Sequence, residues 1–298
     1  MTRRIGILHP GEMGAAGVKT SGAHRRRGAW PVASQDGAMT GFRSETTAAI
    51  SAVREALHIA ALGTGEVHAK AGRDVVTDTD VAVEDRVRHL LAGASSWPVI
   101  GEERGGDVPD ATPYWLVDPI CGTRNFASGI PLFAVNVALV EGGRVAVSVV
   151  GDGSNGDVLA AELGSGAWRA REDGSEPLAP SASSLIVDLG AWPSAAPARD
   201  QAARDAAEAI RSDRWDVRCF ATTLSLAYVA TGQIAGCALF ATPGLVHVAA
   251  GSLLVAEAGG RVTDAAGEPW TLHASSLVCA ADEHFHEEVL GLVRGEPR

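Results

Sequence analysis

Residues 115–140 read WLVDPICGTRNFASGIPLFAVNVALV. An apolar run ends on Asp118 and passes through Cys121, Gly122 and Thr123; a second, Val-rich run then climbs to Val140. Short apolar runs bounded by Gly and Pro predict buried strands, and an acidic residue at a strand end beside a glycine turn is where α/β proteins place their sites. Working outward, VIGEE over 99–103 repeats the arrangement at Glu102, and EGGR over 141–144 predicts a hairpin into RVAVSVVGD. Asp74, Asp78, Asp80 and Glu103 add carboxylates at predicted loops. Taken singly, each carboxylate is explained as a helix cap or a solvated group; Glu102 and Asp118 are harder to explain that way.

The 298 residues are 46% hydrophobic and 20% charged, enough for a real core, which excludes disorder as the main state. With 25 basic against 36 acidic side chains the net charge is −11, which argues against a nucleic-acid surface. Lys19 and Lys70 are the only lysines. No run approaches a membrane span, and the N-terminus lacks a signal-peptide stretch, so a cytoplasmic protein is expected. The spacing of Cys121, Cys219, Cys237 and Cys279 predicts reduced thiols, with all but Cys121 in core strands.

Residues 1–43 open like a dinucleotide-binding strand and glycine turn (RIGILHPGEMG) but continue without apolar period, so an extension, flexible or loosely docked, is expected. Ser44 is placed as the cap of a helix carrying Ile50, Val53, Leu57 and Ala61, and a second helix is expected over about 79–91. VLAAELGSGAWRA predicts a further hairpin with Trp168 packed beneath it. A polar stretch at 171–182 divides an N-terminal α+β half (44–178) from a C-terminal α/β half (179–298). The second half alternates strands with helices near 198–212, 222–232, 245–258 and 282–293, an α/β layer pattern.

KAGRDVVTDTD, VIGEE, the 115–140 stretch and VHVAAGSLLVAEAGGRVTD together resemble, in order and spacing, the signature segments of the inositol monophosphatase family. The resemblance implies a layered αβαβα sandwich, a homodimer, and Mg²⁺-dependent hydrolysis of small, possibly anionic, phosphate esters. It implies a first metal subsite from Glu102, Asp118 and the Ile120 carbonyl. Asp80 and Thr123 would orient the attacking water, with Lys70 on the loop before them. Gly122 and Thr123 would offer N–H groups to the phosphate, as helix starts do for anions. Arg124, in place of a small polar residue, contacts an anionic substrate or pairs with an acid.

Three positions depart from the family pattern. Cys121 and His247 stand where two carboxylates would hold the second metal, and Phe240 stands where the inositol-specific members carry a Glu, which points either to an apolar or less hydroxylated substrate or to a packing role. Two Mg²⁺ ions about 4 Å apart repel by on the order of 16 kcal/mol at an effective dielectric of 20. Mg²⁺ also prefers oxygen over thiolate and imidazole. The leading expectation is therefore a neofunctionalised enzyme of small-molecule biosynthesis using a metal-free Cys121–His247 pair, with the thiol activated by a helix N-terminus and Asp118 assisting. The first alternative is a phosphatase with altered metal use, Zn²⁺ at Asp118, Cys121 and His247 or Mg²⁺ at the first subsite alone. The second is a binding protein without catalysis.

Overall fold

The computed structural model describes residues 43–295 apart from 71–73, 110–111, 181–183, 191–195 and 241–243. The dinucleotide-like opening and the extension, up to residue 42, lie outside the described residues.

Helix α1 (Ser44–Ala61) leads through a two-stranded ribbon, β1 (Val67–Ala69) and β2 (Val75–Thr77), into α2 (Asp78–Ala94). Seven strands then form one sheet in chain order: β3 (Val99–Gly101), β4 (Tyr114–Cys121), β5 (Ala134–Glu141), β6 (Arg144–Asp152), β7 (Val158–Glu162), β8 (Gly166–Arg171) and β9 (Gly174–Pro177). Short α3 (Thr123–Ala127) interrupts β4 and β5. All neighbours run antiparallel except β3 and β4, which are parallel.

The remaining chain gives β10 (Ile186–Gly190), α4 (Ala196–Arg211), β11 (Asp216–Arg218), α5 (Leu224–Ala230), β12 (Gly236–Phe240), α6 (Leu245–Ala258), β13 (Arg261–Thr263), β14 (Ser276–Ala280) and α7 (Glu283–Arg294). Its sheet has the order β11-β10-β12-β14-β13.

Alternation along the strands sorts their side chains into three cores. Val117, Val137 and Val149 meet Val53, Val83 and Val87 of α1 and α2 on the outer face of the large sheet. Leu116 and Ala138 turn inward, towards Leu226 of α5, Leu253 and Leu254 of α6, and Leu277 of the second sheet. Val187 and Val278 pack outward against Phe285 and Val289 of α7. The result is the expected αβαβα layering. Every residue of β4 is buried, as a near-continuous apolar run requires. Helix α6 lies between the two sheets, so LVHVAAGSLLVAEA is apolar almost all round, with His247 and Ser252 its buried polar residues.

Local details correct some expectations. Arg43, not Ser44, holds the N-cap position of α1, without a side-chain cap; its N–H donates to Glu162 Oε1 (2.9 Å) and its guanidinium pairs with Glu141. The second helix starts one residue before the expected Thr79. Thr77 caps it, its hydroxyl accepting from the Asp80 N–H while Asp80 accepts from the Thr77 N–H, a reciprocal box. Cys219 is exposed rather than core, whereas Cys121, Cys237 and Cys279 are buried. Trp168 is buried on β8, in the core shared with α1 and α2.

Candidate active site

Two parallel strands deliver the first pair of carboxylates. The Glu102 N–H donates to the Val117 carbonyl (3.1 Å), which places Glu102 beside Asp118 at the end of β4. Behind the turn, buried Glu84 of α2 accepts the N–H groups of Glu103 (2.6 Å) and Arg104 (3.0 Å) and the Arg88 guanidinium (2.8 Å). Gly101 makes this approach feasible, because a Cβ there would collide with the Glu84 carboxylate.

A bulge brings Cys121 to the same place. Asp118 pairs with Asn136 of β5 but Cys121 pairs with Ala134, so β4 carries one extra residue, at a stretch containing Pro119, which has no N–H for the ladder. His247, near the start of α6, supplies the third group. Its Nδ1 lies 2.7 Å from Asp118 Oδ2 and 4.0 Å from Glu102 Oε2. Ligand atoms of Asp118, Cys121 and His247 all fall within 4.8 Å of one another, and all three residues are buried. Asp118 Oδ1 has no hydrogen-bond partner among the described residues.

The environment of Cys121 overturns the expectation of an activated thiol. Burial, reinforced by the Asp118 charge, pushes the thiol well above its ordinary pKa. Its Sγ instead accepts from the Thr223 hydroxyl (2.9 Å) and N–H (3.3 Å), and Asn136 Nδ2 donates to Thr223 Oγ1 (3.0 Å). Sequence reasoning missed Thr223, Asn136 and Glu84. The signals were a lone Asn inside FAVNVALV, a Thr pair ahead of an apolar helix, and a Glu on the apolar face of α2.

Of the other expected residues, Lys70, Glu102, Ile120, Gly122, Thr123 and Arg124 line, with Cys121 and His247, one cavity of about 350 Å³. Thr123 Oγ1 lies 3.1 Å from both Asp80 Oδ1 and the Ile120 carbonyl. Burial raises the Asp80 pKa against the opposing Thr77 and Thr123 hydrogen bonds. Lys70 Nζ is held by Glu103 (2.6 Å) and Glu102 (3.3 Å), so its charge is directed first at the acids rather than at a ligand. Burial, then the Asp118 charge, pushes Glu102 up to about 9. Gly122 turns with φ 108° into α3, and a Cβ there would meet the Leu132 carbonyl at 2.9 Å. Arg124 lines the cavity; Phe240 does not. Strand alternation turns Phe240 into the outer core with Leu189 and Phe285, and Leu239 takes the cavity wall instead.

The donor set decides what ion fits. Glu102, Asp118 and the Ile120 carbonyl are hard oxygen ligands, whereas Cys121 and His247 are softer, so the pair of Mg²⁺ ions does not fit and one softer divalent cation does.

A profile of the inositol monophosphatase family matches residues 39–298. Inositol-1-monophosphatase ImpA of Mycolicibacterium smegmatis is 34% identical over 237 residues, 76% of this chain and 84% of that protein. The histidinol-phosphatase of Mycobacterium tuberculosis is 35% identical over 227 residues, 72% of this chain and 83% of that protein. Among solved structures, the extragenic suppressor protein SuhB of Bartonella henselae superposes with a TM-score of 0.76 at 26% identity, over 86% of this chain and all of that one. Layer order, strand-end carboxylates and these likenesses agree, and the chain belongs to the inositol monophosphatase family.

Proposed function

We propose that this chain releases phosphate from small phosphate monoesters with the help of a soft divalent cation, zinc being the best match, held by Asp118, Cys121 and His247. The observation that carries the reading is the convergence of a buried carboxylate, sulfur and imidazole within 4.8 Å, with Cys121 and His247 on the cavity wall. The Thr223 donors on Cys121 support it, because a ligating thiolate is stabilised by outer hydrogen bonds. The phosphatase names of the relatives support the reaction class.

When bound, the cation supplies Lewis-acid polarisation of the phosphoryl group. The protein's own groups do the rest. Gly122, Thr123 and Arg124 line the phosphate end, where the N–H groups of the first two would bind phosphate and Arg124 would offset its charge. Thr123 Oγ1, steadied by Asp80, orients the attacking water and offers a route for its proton to the Asp80 carboxyl. Glu102 with the Ile120 carbonyl forms the hard-ligand side, where Mg²⁺ is the alternative occupant. The metal-free nucleophilic pair is the weaker reading, because without a cation burial and the Asp118 charge push the Cys121 thiol well above its ordinary pKa.

The test is metal analysis of the purified protein with phosphate release from a panel of small monoesters under added Zn²⁺ or Mg²⁺. Zinc-supported turnover lost in Cys121→Ala and His247→Ala is expected. Mg²⁺-supported turnover that survives both substitutions overturns the reading.

A further inference from the structure

Asn136 interrupts the apolar run of β5 and is 1% exposed. Alternation places it with Ala134 and Ala138 on the face turned towards α5 and α6. Register sets it opposite Asp118, the last pair before the bulge that leads to Cys121. Its Oδ1 accepts nothing among the described residues, and the one side-chain hydrogen bond it makes among them is the donation from Nδ2 to Thr223 Oγ1 (3.0 Å). A buried amide with an orphaned acceptor is costly in an apolar strand, so the bond to Thr223 is what accounts for it.

Thr223 gives up a bond of its own. It holds the N-cap position of α5, where a threonine hydroxyl ordinarily accepts a free N–H of the first turn. Here no side-chain cap forms. The hydroxyl donates instead to Cys121 Sγ (2.9 Å), and the Thr223 N–H donates to the same sulfur (3.3 Å). A hydroxyl has one proton and two lone pairs. With Asn136 donating into the oxygen, the proton is left for the sulfur. Amide, hydroxyl and sulfur thus form one directed chain in which each bond polarises the next, and donors aimed at a sulfur favour the electron-rich form in which cysteine binds a metal.

We infer that Asn136 is a positioning residue for the cation site: acting through Thr223, it turns the hydroxyl proton onto Cys121 Sγ and so holds the sulfur as a ligand. The inference rests on the reading of Asp118, Cys121 and His247 as a soft-cation site. Asn136 does not line the cavity, so its effect reaches the site only through the hydroxyl it orients.

Cobalt(II) added to the full metal-free chain reports the sulfur directly, because a thiolate ligand contributes a near-ultraviolet charge-transfer band that oxygen and imidazole ligands lack. Zinc affinity is read by competition with a chelator, so neither measurement depends on turnover. Asn136→Leu removes the amide without adding a polar atom, and Asn136→Ala removes it without adding bulk. Both are expected to weaken the cobalt–thiolate band and to lower zinc affinity about tenfold, within the range for loss of an outer hydrogen bond. Made in a Thr223→Val background, the same substitutions are expected to change neither readout, since the hydroxyl through which Asn136 acts is gone. A wild-type band and zinc affinity that both Asn136 variants leave unchanged or strengthen overturn this inference alone. So does an equal loss in the Thr223→Val background, which would mark Asn136 as a packing residue. A wild-type chain without the thiolate band overturns the soft-cation reading and this inference with it.

Discussion

Asp118 Oδ2 on the large sheet and His247 Nδ1 on the helix between the sheets stand 2.7 Å apart, although 129 residues separate them along the chain. The contact depends on how the middle layer is seated. Ser148 of β6 donates to the Ala250 carbonyl of α6 (2.6 Å), tying that helix to the sheet that carries Asp118 and Cys121. The cation site proposed above is therefore assembled by packing of α6, with only part of it contributed by the DPICGT turn.

Thr223→Val removes the hydroxyl that donates to Cys121 Sγ while keeping size and the N–H donor. Loss of such an outer hydrogen bond is expected to weaken zinc affinity by about 10–100-fold. Competition with a chelator measures it, and Thr223→Ser should restore much of the loss. An unchanged affinity in Thr223→Val would remove the sulfur from the ligand set.

Glu102 gives a pH signature with a definite sign. Its carboxyl is pushed up to about 9 from an ordinary 4.5, so in metal-free protein the folded state keeps a proton that the unfolded chain releases across that interval. Stability from this group therefore falls as pH rises through the window. Glu102→Gln is expected to show a Tm advantage over wild type that grows from about pH 5 to about pH 8. Added zinc should shrink the advantage. A Tm difference independent of pH would contradict the burial and Asp118 charge invoked here.

Gly101→Ala drives a methyl into the Glu84 carboxylate that anchors the turn carrying Glu102. Overpacking of this kind costs about 1–3 kcal/mol. Gly93→Ala on α2, with nothing within 4 Å of the new methyl, is the control and is expected to gain about 0.5–1 kcal/mol. Denaturant unfolding of both variants checks the contrast.

Leu239 and Phe240 are neighbours with opposite faces, and substitution should separate their roles. Phe240→Ala empties part of the outer core beside Phe285 and is expected to cost about 3–5 kcal/mol while leaving KM unchanged. Leu239→Ala opens the cavity wall and is expected to move KM more than kcat. Steady-state kinetics and thermal melts on the two variants decide it; a KM effect at Phe240 would put that ring back at the substrate.

Much of the site was legible because strand ends announce themselves. Apolar runs stopping at Glu102 and Asp118 read directly as strand-end carboxylates, while the anion-binding role of the glycine turn after Cys121 came from the resemblance of the motifs. The supporting groups were not legible. Thr223 acts on Cys121 across 102 residues, and Glu84 reaches Glu103 from another element, so neither has a local pattern to betray it. The expected low pKa for Cys121 failed for a related reason: a helix start nearby is visible in the sequence, but complete burial beside Asp118 is not.

Sequence by itself determined the layer class and the buried strands, because periodicity is a local property of the chain, and the resemblance of its ordered motifs marked the three departures at Cys121, His247 and Phe240. Only the tertiary structure decided that Cys121 and His247 close on Asp118 and that Phe240 turns away from the cavity. Those outcomes follow from a one-residue bulge in β4, from alternation along β12, and from the seating of α6 between two sheets. Each is set by contacts between elements far apart in sequence, where burial and neighbouring charge, rather than residue type, fix what a side chain can do.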